Sequence, residues 1–188
     1  MVIRSRVALV GDATVGKSAL ALTLANGPSG FPKNYTMTQG CEVYSKSMKI
    51  NNRSIEFQII DTSGQTMYKN ITTDMIHRST VIVFVYDITN TESFNSLQVW
   101  LKTVKDTLKE KVFYGVVVAN KNDISERVVV RPQEGVAFAR TNKCEFIETS
   151  AVTFTQLKQQ DVEQLFTTIG EQVIRRYDDR VRRVSSFT

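Results

Sequence analysis

The sequence predicts a single α/β domain in which a mostly parallel, six-stranded sheet has helices on both faces and one antiparallel hairpin strand. Strand-like segments alternate with helical ones, and residues 81–86 and 116–119 are continuous apolar runs. Such runs are typical of parallel strands that are covered on both faces. Asn51-Asn52 joins two further strand-like segments, and asparagine tolerates the positive φ of a tight hairpin turn. At 188 residues, the chain is long enough for one complete core.

The first part of the chain is predicted to run strand, loop, helix, loop and hairpin. Residues 7–10 form a short apolar strand, and residues 19–24 form an apolar helix that ends at a cluster of turn-forming residues. Residues 31–40 show no periodicity and are predicted to be an ordered loop. The hairpin strands are residues 41–50 and 53–60, and the second alternates before it becomes wholly apolar, as expected of a strand that enters a sheet core.

The second part alternates helices with the buried strands. Residues 66–78 are polar and weakly helical, and Thr89-Asn90-Thr91 supplies cap candidates for one helix with apolar residues at helical spacing as far as Leu108. The remaining predicted elements are a helix from Pro132 to about Asn142, a strand over 145–148 and a final helix over 160–177 with a continuous apolar stripe.

Residues 11–18, Gly-Asp-Ala-Thr-Val-Gly-Lys-Ser, fit the pattern G-x-x-x-x-G-K-[ST] of a phosphate-binding loop. Glycine at 11 and 16 lets the backbone curl so that N–H groups point at phosphate oxygens. Lys17 can reach the β- and γ-phosphates, and the Ser18 hydroxyl can ligate Mg²⁺. An ordinary strand–loop–helix turn is the alternative, but the strand before the loop and the helix after it are the context that the motif requires.

Polar residues follow another predicted strand in Asp61-Thr62-Ser63-Gly64-Gln65. Asp61 closes the strand and is a suitable carboxylate to hold Mg²⁺ through water. Gly64 lets the backbone approach a γ-phosphate, and Gln65 can orient an attacking water. Since the carboxyl ends of parallel strands share one sheet edge, we expect this segment beside the phosphate-binding loop.

Asn120-Lys121-Asn122-Asp123 follows the next buried strand and points to guanine as the base. The Asp123 carboxylate can accept hydrogen bonds from the ring N–H and the exocyclic amine of guanine, whereas adenine offers an acceptor at the ring nitrogen. Lys121 can lay its stem along the ring and brace the phosphate-binding loop. The Ala151 N–H, held by Ser150, can donate to the guanine carbonyl. This loop disfavours an ATPase or a kinase.

With these motifs in order, the chain resembles the Ras superfamily of small GTPases over nearly its whole length. The resemblance is carried by GDATVGKS, Thr38, DTSGQ, NKND and ETSA, and within the superfamily it is nearest to Rab proteins through VYDITN, ESF and WL. The resemblance implies a P-loop GTPase domain in which Thr38 binds Mg²⁺ and the γ-phosphate. It also implies that Phe31 packs edge-on against the base. Pattern alone predicts a core anchor at Phe31 and an ordinary loop hydroxyl at Thr38.

The chain departs from the Rab pattern at several positions. Ala13 stands where Ras proteins carry Gly and many Rabs carry Ser, and it can crowd the attacking water. Gln65 is followed by Thr-Met-Tyr in place of E-R-F, Gln39 replaces an Ile, and Val152 replaces a Lys that contacts the base. We therefore expect altered partners for the segment after Gln65.

The motifs and the resemblance together define the candidate site for GTP or GDP and Mg²⁺. The candidate catalytic residues are Gln65, Lys17 and Thr38, and the candidate metal ligands are Ser18, Thr38 and Asp61. The candidate nucleotide-binding residues are Asp12, Ala13, Thr14, Val15, Gly16, Lys17, Ser18, Ala19, Phe31, Tyr35, Gly64, Asn120, Lys121, Asp123, Ser150, Ala151 and Val152.

The C-terminal residues are basic and contain no cysteine for a lipid anchor. We expect a GTPase domain over 1–177 and a short basic extension over 178–188 without a lipidation site. The arginines of 175–183 can bind nucleic acid or acidic lipid, but a solvated helix end is the favoured interpretation. Tyr177, Val181 and Val184 continue the apolar stripe, so residues 177–188 are a candidate protein interface, with a frayed terminus as the alternative.

We expect no lipid anchor, and together with switch I residues 31–38 and Gly-Cys-Glu-Val at 40–43 this makes the chain resemble the Rab-like subunits of intraflagellar transport complex B. The resemblance implies a small β-sandwich partner, larger complex B subunits and a cytoplasmic location at the cilium or flagellum and basal body. A GTP-driven switch and a constitutive nucleotide-binding subunit both remain open, as does a non-prenylated Rab-like GTPase of vesicle traffic. A nucleic-acid-binding role is the least favoured.

Overall fold

The computed structural model describes residues 1–152 and 156–185. These residues form one six-stranded sheet with the strand order β2-β3-β1-β4-β5-β6, in which β2 pairs antiparallel with β3 and the other neighbours are parallel. The predicted fold class is therefore confirmed. The strands are β1 (Val2–Val10), β2 (Cys41–Ile50), β3 (Arg53–Thr62), β4 (Val81–Asp87), β5 (Tyr114–Asn120) and β6 (Glu145–Glu148).

The hairpin and the buried strands form for the reasons that the sequence indicates. Asn51 and Asn52 have φ values of 48° and 62°, so both residues of the tight turn are left-handed. Every residue of β4 is buried, because this central strand is covered on both faces. β1 is longer than the apolar run 7–10 because its first residues alternate between buried and exposed positions beside β3.

The helices surround the sheet. They are α1 (Lys17–Asn26), α2 (Lys69–His77), α3 (Thr91–Asn95), α4 (Leu97–Leu108), α5 (Pro132–Thr141) and α6 (Gln156–Ser185). Asn90 caps α3, since its side-chain oxygen accepts hydrogen bonds from the amides of Glu92 and Ser93. The single helix predicted from this cap to Leu108 is wrong, because Ser96 separates α3 from α4.

Two apolar clusters fill the faces of the sheet. On one face, side chains of β1 and β3 pack against α1 and α6, with Phe57 and Phe166 in edge-to-face contact at 5.6 Å. On the other face, β4 and β5 pack against α2, α4 and α5. Gly170 lets α6 lie close to the hairpin, because a Cβ there would sit 2.2 Å from Ile50 Cδ1. These two apolar clusters fix the positions of the strands and therefore of the loops that follow them.

The last helix is longer than predicted at both ends. α6 begins at Gln156 and continues to Ser185, so the predicted bounds of 160 and 177 are wrong. Residues 171–185 contain neither Gly nor Pro and include several arginines, which favour helix. Asp178 pairs with Arg53 at 2.9 Å, and Val181 is 45% exposed. The side chain of Val184 and residues 186–188 lie outside the described residues.

The loops after β1, β3, β5 and β6 leave the sheet at the same edge, where a ligand-binding crevice is expected in an open α/β sheet. Among the described helices, none combines the length and apolar character needed to cross a membrane.

Candidate functional site

The loop between β1 and α1 has a backbone shaped for close approach. Thr14 and Gly16 have φ values of 66° and 99°, so the chain turns through left-handed conformations before the helix starts. A Cβ at Gly16 would lie 2.3 Å from the side-chain nitrogen of Asn120, so only glycine fits there. Alternating conformations of this kind turn successive N–H groups toward one point, which makes an anion cradle.

Lys17 is held inside the same loop. Its ammonium group donates to the carbonyl oxygens of Gly11 at 2.8 Å and Asp12 at 2.7 Å, and the residue is 5% exposed. Burial lowers the pKa of Lys17 to about 8, although the carboxylates of Asp61 and Asp12 act in the opposite direction. The loop therefore places one cation at its centre, where a phosphate group would need it.

The three predicted metal ligands meet at one point. Ser18 Oγ donates to Asp61 Oδ2 at 2.6 Å, Thr38 Oγ1 donates to the same oxygen at 3.0 Å, and the two hydroxyls lie 3.0 Å apart. Burial raises the pKa of Asp61, whereas the Ser18 hydrogen bond, the Lys17 charge and the Thr38 hydrogen bond lower it. Asp61 Oδ1 is buried without a hydrogen-bond partner among the described residues. A carboxylate and two hydroxyls are hard oxygen donors, so the residues fit Mg²⁺.

A cavity of about 200 Å³ lies between the phosphate-binding loop and residues 32–38. Most candidate residues from the first half of the chain line it, namely Ala13, Thr14, Gly16, Lys17, Ser18, Ala19, Tyr35, Thr38, Gly64 and Gln65. Residues that sequence reasoning missed also line it, including Met37, Glu42 and Tyr44. The cavity thus joins the predicted phosphate, metal and water-orienting residues.

Gly64 brings the segment after β3 against the phosphate-binding loop. A Cβ at Gly64 would lie 2.3 Å from the Ala13 amide nitrogen and 2.4 Å from the Asp12 carbonyl carbon, so the two backbones touch. The neighbouring Gln65 side chain contacts the sulfur of Met37. Glycine at 64 is therefore required for packing between the two loops, next to the place predicted for a γ-phosphate.

The residues predicted to read the base are joined by Ser150. Its hydroxyl donates to Asp123 Oδ1 and accepts the Val152 amide at 3.1 Å. Asp123 and Ser150 lie on loops after β5 and β6, which are neighbours in the sheet. Ala151 between Ser150 and Val152 is 4% exposed, and its carbonyl accepts a hydrogen bond from Thr23. Ser150 fixes the carboxylate and the following backbone with one side chain.

The contact that braces the phosphate-binding loop comes from a different residue than predicted. Asn120 donates from Nδ2 to the carbonyl of Val15 at 2.7 Å, and the side chain is buried. Lys121, predicted to provide this brace, instead pairs with Asp87 Oδ2 at 2.6 Å. Its φ of 68° turns the chain at this point. Asn120 suits the brace because its amide donor reaches the loop directly from the end of β5.

Phe31 and Asp12 are not among the residues that line the cavity. Phe31 packs against the buried cluster beneath α1 and α6, which matches its interpretation as a core anchor; its contact with a base stays a prediction. The Asp12 carboxylate accepts a hydrogen bond from Trp100 Nε1 at 2.7 Å. Sequence reasoning singled out neither Trp100 nor Asp87 for the site, because no spacing rule links positions so far apart.

Comparisons with known proteins find similar sequences over most of the chain. The sequence profile described as the Ras family matches residues 6–175. A Trypanosoma brucei brucei protein named intraflagellar transport protein 27 homolog is 34% identical over 151 residues, which span 80% of this chain and 81% of that protein. Intraflagellar transport protein 27 of Chlamydomonas reinhardtii is 33% identical over 184 residues, spanning 95% and 88% of the two chains.

A relative outside that group is similar at nearly the same level. The GTP-binding protein YPT1 of Saccharomyces cerevisiae is 32% identical over 168 residues, which span 89% of this chain and 78% of that protein.

Proposed function

The chain belongs to the Ras family of small GTPases, and we propose that it binds GTP and GDP with Mg²⁺ and hydrolyses GTP to GDP and phosphate. The observation that carries this proposal is the convergence of Ser18, Thr38 and Asp61 beside the buried ammonium of Lys17. Three oxygen donors and one cation at the end of a glycine-bounded loop match the needs of a metal-bound polyphosphate.

The phosphate end of the site is built from the first two loops. Lys17 and the loop amides would hold the β- and γ-phosphates, and Ser18, Thr38 and Asp61 would hold the metal. Mg²⁺, when bound, neutralises the negative charge of the phosphate oxygens. Gln65 lines the same cavity, and it would orient the attacking water molecule.

Base recognition is assigned to the loops after β5 and β6. Asp123, fixed by Ser150, would accept hydrogen bonds from guanine, and the Ala151 amide would donate to its carbonyl. Asn120 holds this loop to the phosphate-binding loop through Val15, so base and phosphate contacts share one rigid frame. Phe31, Lys121 and Val152 complete the proposed surroundings of the base.

Hydrolysis without a partner should be slow. Ala13 lines the cavity and adds a methyl group near the water that Gln65 would orient. An arginine supplied by another protein is one means of faster turnover in this class of enzyme. We therefore propose a slow intrinsic rate that a protein partner can raise.

The names of the relatives suggest the cellular process in which the chain takes part. Two of them are named as intraflagellar transport proteins, so we propose that this chain works in intraflagellar transport at the cilium or flagellum. Its partners would be intraflagellar transport subunits, including a small β-sandwich protein and larger complex B subunits. Similarity to the protein YPT1 keeps vesicle traffic as the second candidate.

Nucleotide binding tests the first proposal. Dissociation of GDP should be slow with Mg²⁺ and faster after chelation, and Ser18→Ala should reduce that response because one metal ligand is lost. Ser29→Ala, in the turn after α1, is the matched control and should behave like the wild type. A chain that binds ATP as well as GDP, or binds neither, would contradict the proposal.

Partner capture tests the second proposal. The chain loaded with GDP or with a non-hydrolysable GTP analogue is used to capture proteins from ciliated and non-ciliated cells. Intraflagellar transport proteins should be captured from ciliated cells. Capture that depends on the nucleotide indicates a switch, and equal capture indicates a constitutive subunit. Capture of vesicle-traffic proteins alone would favour the second candidate.

A further inference from the structure

One side chain of the phosphate-binding loop is directed at a helix. The Asp12 carboxylate accepts a hydrogen bond from Trp100 Nε1 at 2.7 Å, and both residues are half-buried. They lie 88 positions apart along the chain. A hydrogen bond between a neutral donor and a carboxylate is stronger than one between neutral groups, and partial burial protects it from competing water.

The backbone of Asp12 lies between two other parts of the site. Its carbonyl oxygen accepts a hydrogen bond from Lys17 at 2.7 Å. Its carbonyl carbon and the amide nitrogen of Ala13, the two atoms of one peptide bond, leave no room for a Cβ on Gly64, the glycine before Gln65. A shift of Asp12 by a few tenths of an ångström would therefore move Lys17, Gly64 or both, since these atoms are already in close contact.

Trp100 is attached to a firmly packed helix. α4 buries Leu101 and Val104 in the cluster beneath β4, and Trp100 packs against the same cluster. Ile76 of α2 belongs to this cluster too, and α2 follows the segment that carries Gly64 and Gln65. One packed layer thus contacts the phosphate-binding loop through Trp100 and the Gln65 segment through α2.

We infer that Trp100 is a positioning residue for the phosphate-binding loop and that its hydrogen bond to Asp12 couples the γ-phosphate end of the site to α4. This inference rests on the proposed function. The indole N–H fixes the Asp12 carboxylate, and through it the backbone at which Lys17 and Gly64 meet. The γ-phosphate distinguishes GTP from GDP, so loss of the hydrogen bond weakens binding of the triphosphate more than binding of the diphosphate.

The test compares dissociation rates of GDP and of a non-hydrolysable GTP analogue. Trp100→Phe keeps an aromatic ring, although a smaller one, and removes the N–H donor, and Asp12→Ala removes the acceptor. Each change should raise the dissociation rate of the analogue relative to that of GDP by roughly tenfold. The double variant should be no worse than either single variant, because both remove the same contact. Asp12→Asn keeps an acceptor oxygen and should recover most of the loss.

Lys102→Ala is the matched control on α4. Lys102 pairs with Asp106 on the exposed side of the helix, so both rates should stay at the wild-type value. An unchanged ratio in Trp100→Phe, or additive losses in the double variant, would overturn the inference. A wild type that binds neither nucleotide would overturn the proposed function as well, so the two failures differ.

Fluorescence gives a second measurement that stands even where Trp100→Phe does not fold. Trp100 is the single tryptophan of the sequence, so emission that is excited at wavelengths absorbed by tryptophan but not by tyrosine reports on its surroundings. The wild type should show different emission with GDP and with the analogue, and Asp12→Ala should lose that difference while Asp12→Asn retains part of it. A difference that persists in full in Asp12→Ala would overturn the inference.

Discussion

The ammonium group of Lys121 lies 2.6 Å from Asp87 Oδ2, which ties the loop after β5 to the end of β4. The other oxygen of Asp87 accepts hydrogen bonds from the backbone and side chain of Thr89 at 2.8 and 2.7 Å. Burial alone would raise the pKa of Asp87, but the hydrogen bonds from Lys121 and Thr89 outweigh it and lower the pKa below its ordinary value. The carboxylate form is therefore favoured by folding.

Asp87→Asn should destabilise the protein by about 1–2 kcal/mol at neutral pH, because it removes the negative charge that Lys121 and Thr89 stabilise. A lowered folded pKa contributes stability above the unfolded value, and this contribution is lost as the pH falls through the folded pKa. The difference between the proteins should thus shrink below about pH 4. Urea unfolding over a pH series measures it.

Asp74→Asn is the control for this experiment. Asp74 pairs with Arg78 on an exposed face of α2, and such pairs contribute little. A loss in Asp87→Asn that is the same at every pH would contradict the assigned role of the charge.

Asp123 is predicted to decide the choice of base. Asp123→Ala should weaken GDP binding by on the order of 2 to 4 kcal/mol, since the donors on guanine are left unpaired. Competition of GTP and ATP for bound GDP measures the effect. Asn122→Ala, one position earlier, is the control and should keep its preference for guanine. If ATP competes as well as GTP in the wild type, the assignment of the base is wrong.

Hydrolysis should depend on Gln65. The intrinsic rate is expected within about tenfold of the roughly 10⁻⁴ s⁻¹ typical of unassisted small GTPases. Gln65→Leu should lower it further, because an alkyl group cannot orient water. Single-turnover phosphate release is the measurement, with the exposed Met67→Leu as control. An equal rate in Gln65→Leu and the wild type would remove Gln65 from the mechanism.

Local sequence pattern was sufficient to predict the fold class of this protein but not the hydrogen bonds and ion pairs that join distant residues. The mostly parallel six-stranded sheet follows from the alternation of strands and helices, and the meeting of Ser18 with Asp61 follows from motifs at the ends of parallel strands. Trp100 and Asp87 lie in segments that resemble Rab proteins, but neither was assigned to the site because their partners are distant in sequence.

Two corrections have similar causes. Asn120 rather than Lys121 contacts the phosphate-binding loop because the positive φ of Lys121 turns the chain at the end of β5. The side chain before that turn reaches Val15, and the side chain at the turn does not. The C-terminal bound of α6 was set too early because only Val181 and Val184 continue the apolar stripe beyond Tyr177, whereas the residues between them still favour helix.

The end of α6 provides the last prediction. Tyr177 packs against the core and Asp178 pairs with Arg53, whereas Val181 beyond them is exposed and is flanked by Arg180 and Arg182. An ordered helix that presents an apolar residue among arginines suits an acidic protein partner, since valine adds buried area and arginine adds charge-assisted hydrogen bonds. We predict that residues 179–188 are needed for partner binding but not for nucleotide binding.

Truncation after Asp178 tests this prediction, because it keeps the contact with Arg53. The shortened chain should bind GDP normally and lose a partner that co-purifies with the full chain from ciliated cells. Val181→Glu should act in the same direction, whereas Val112→Glu, at an exposed valine before β5, should have no effect. If the truncated chain retains all its partners, the end of α6 is only a solvated terminus.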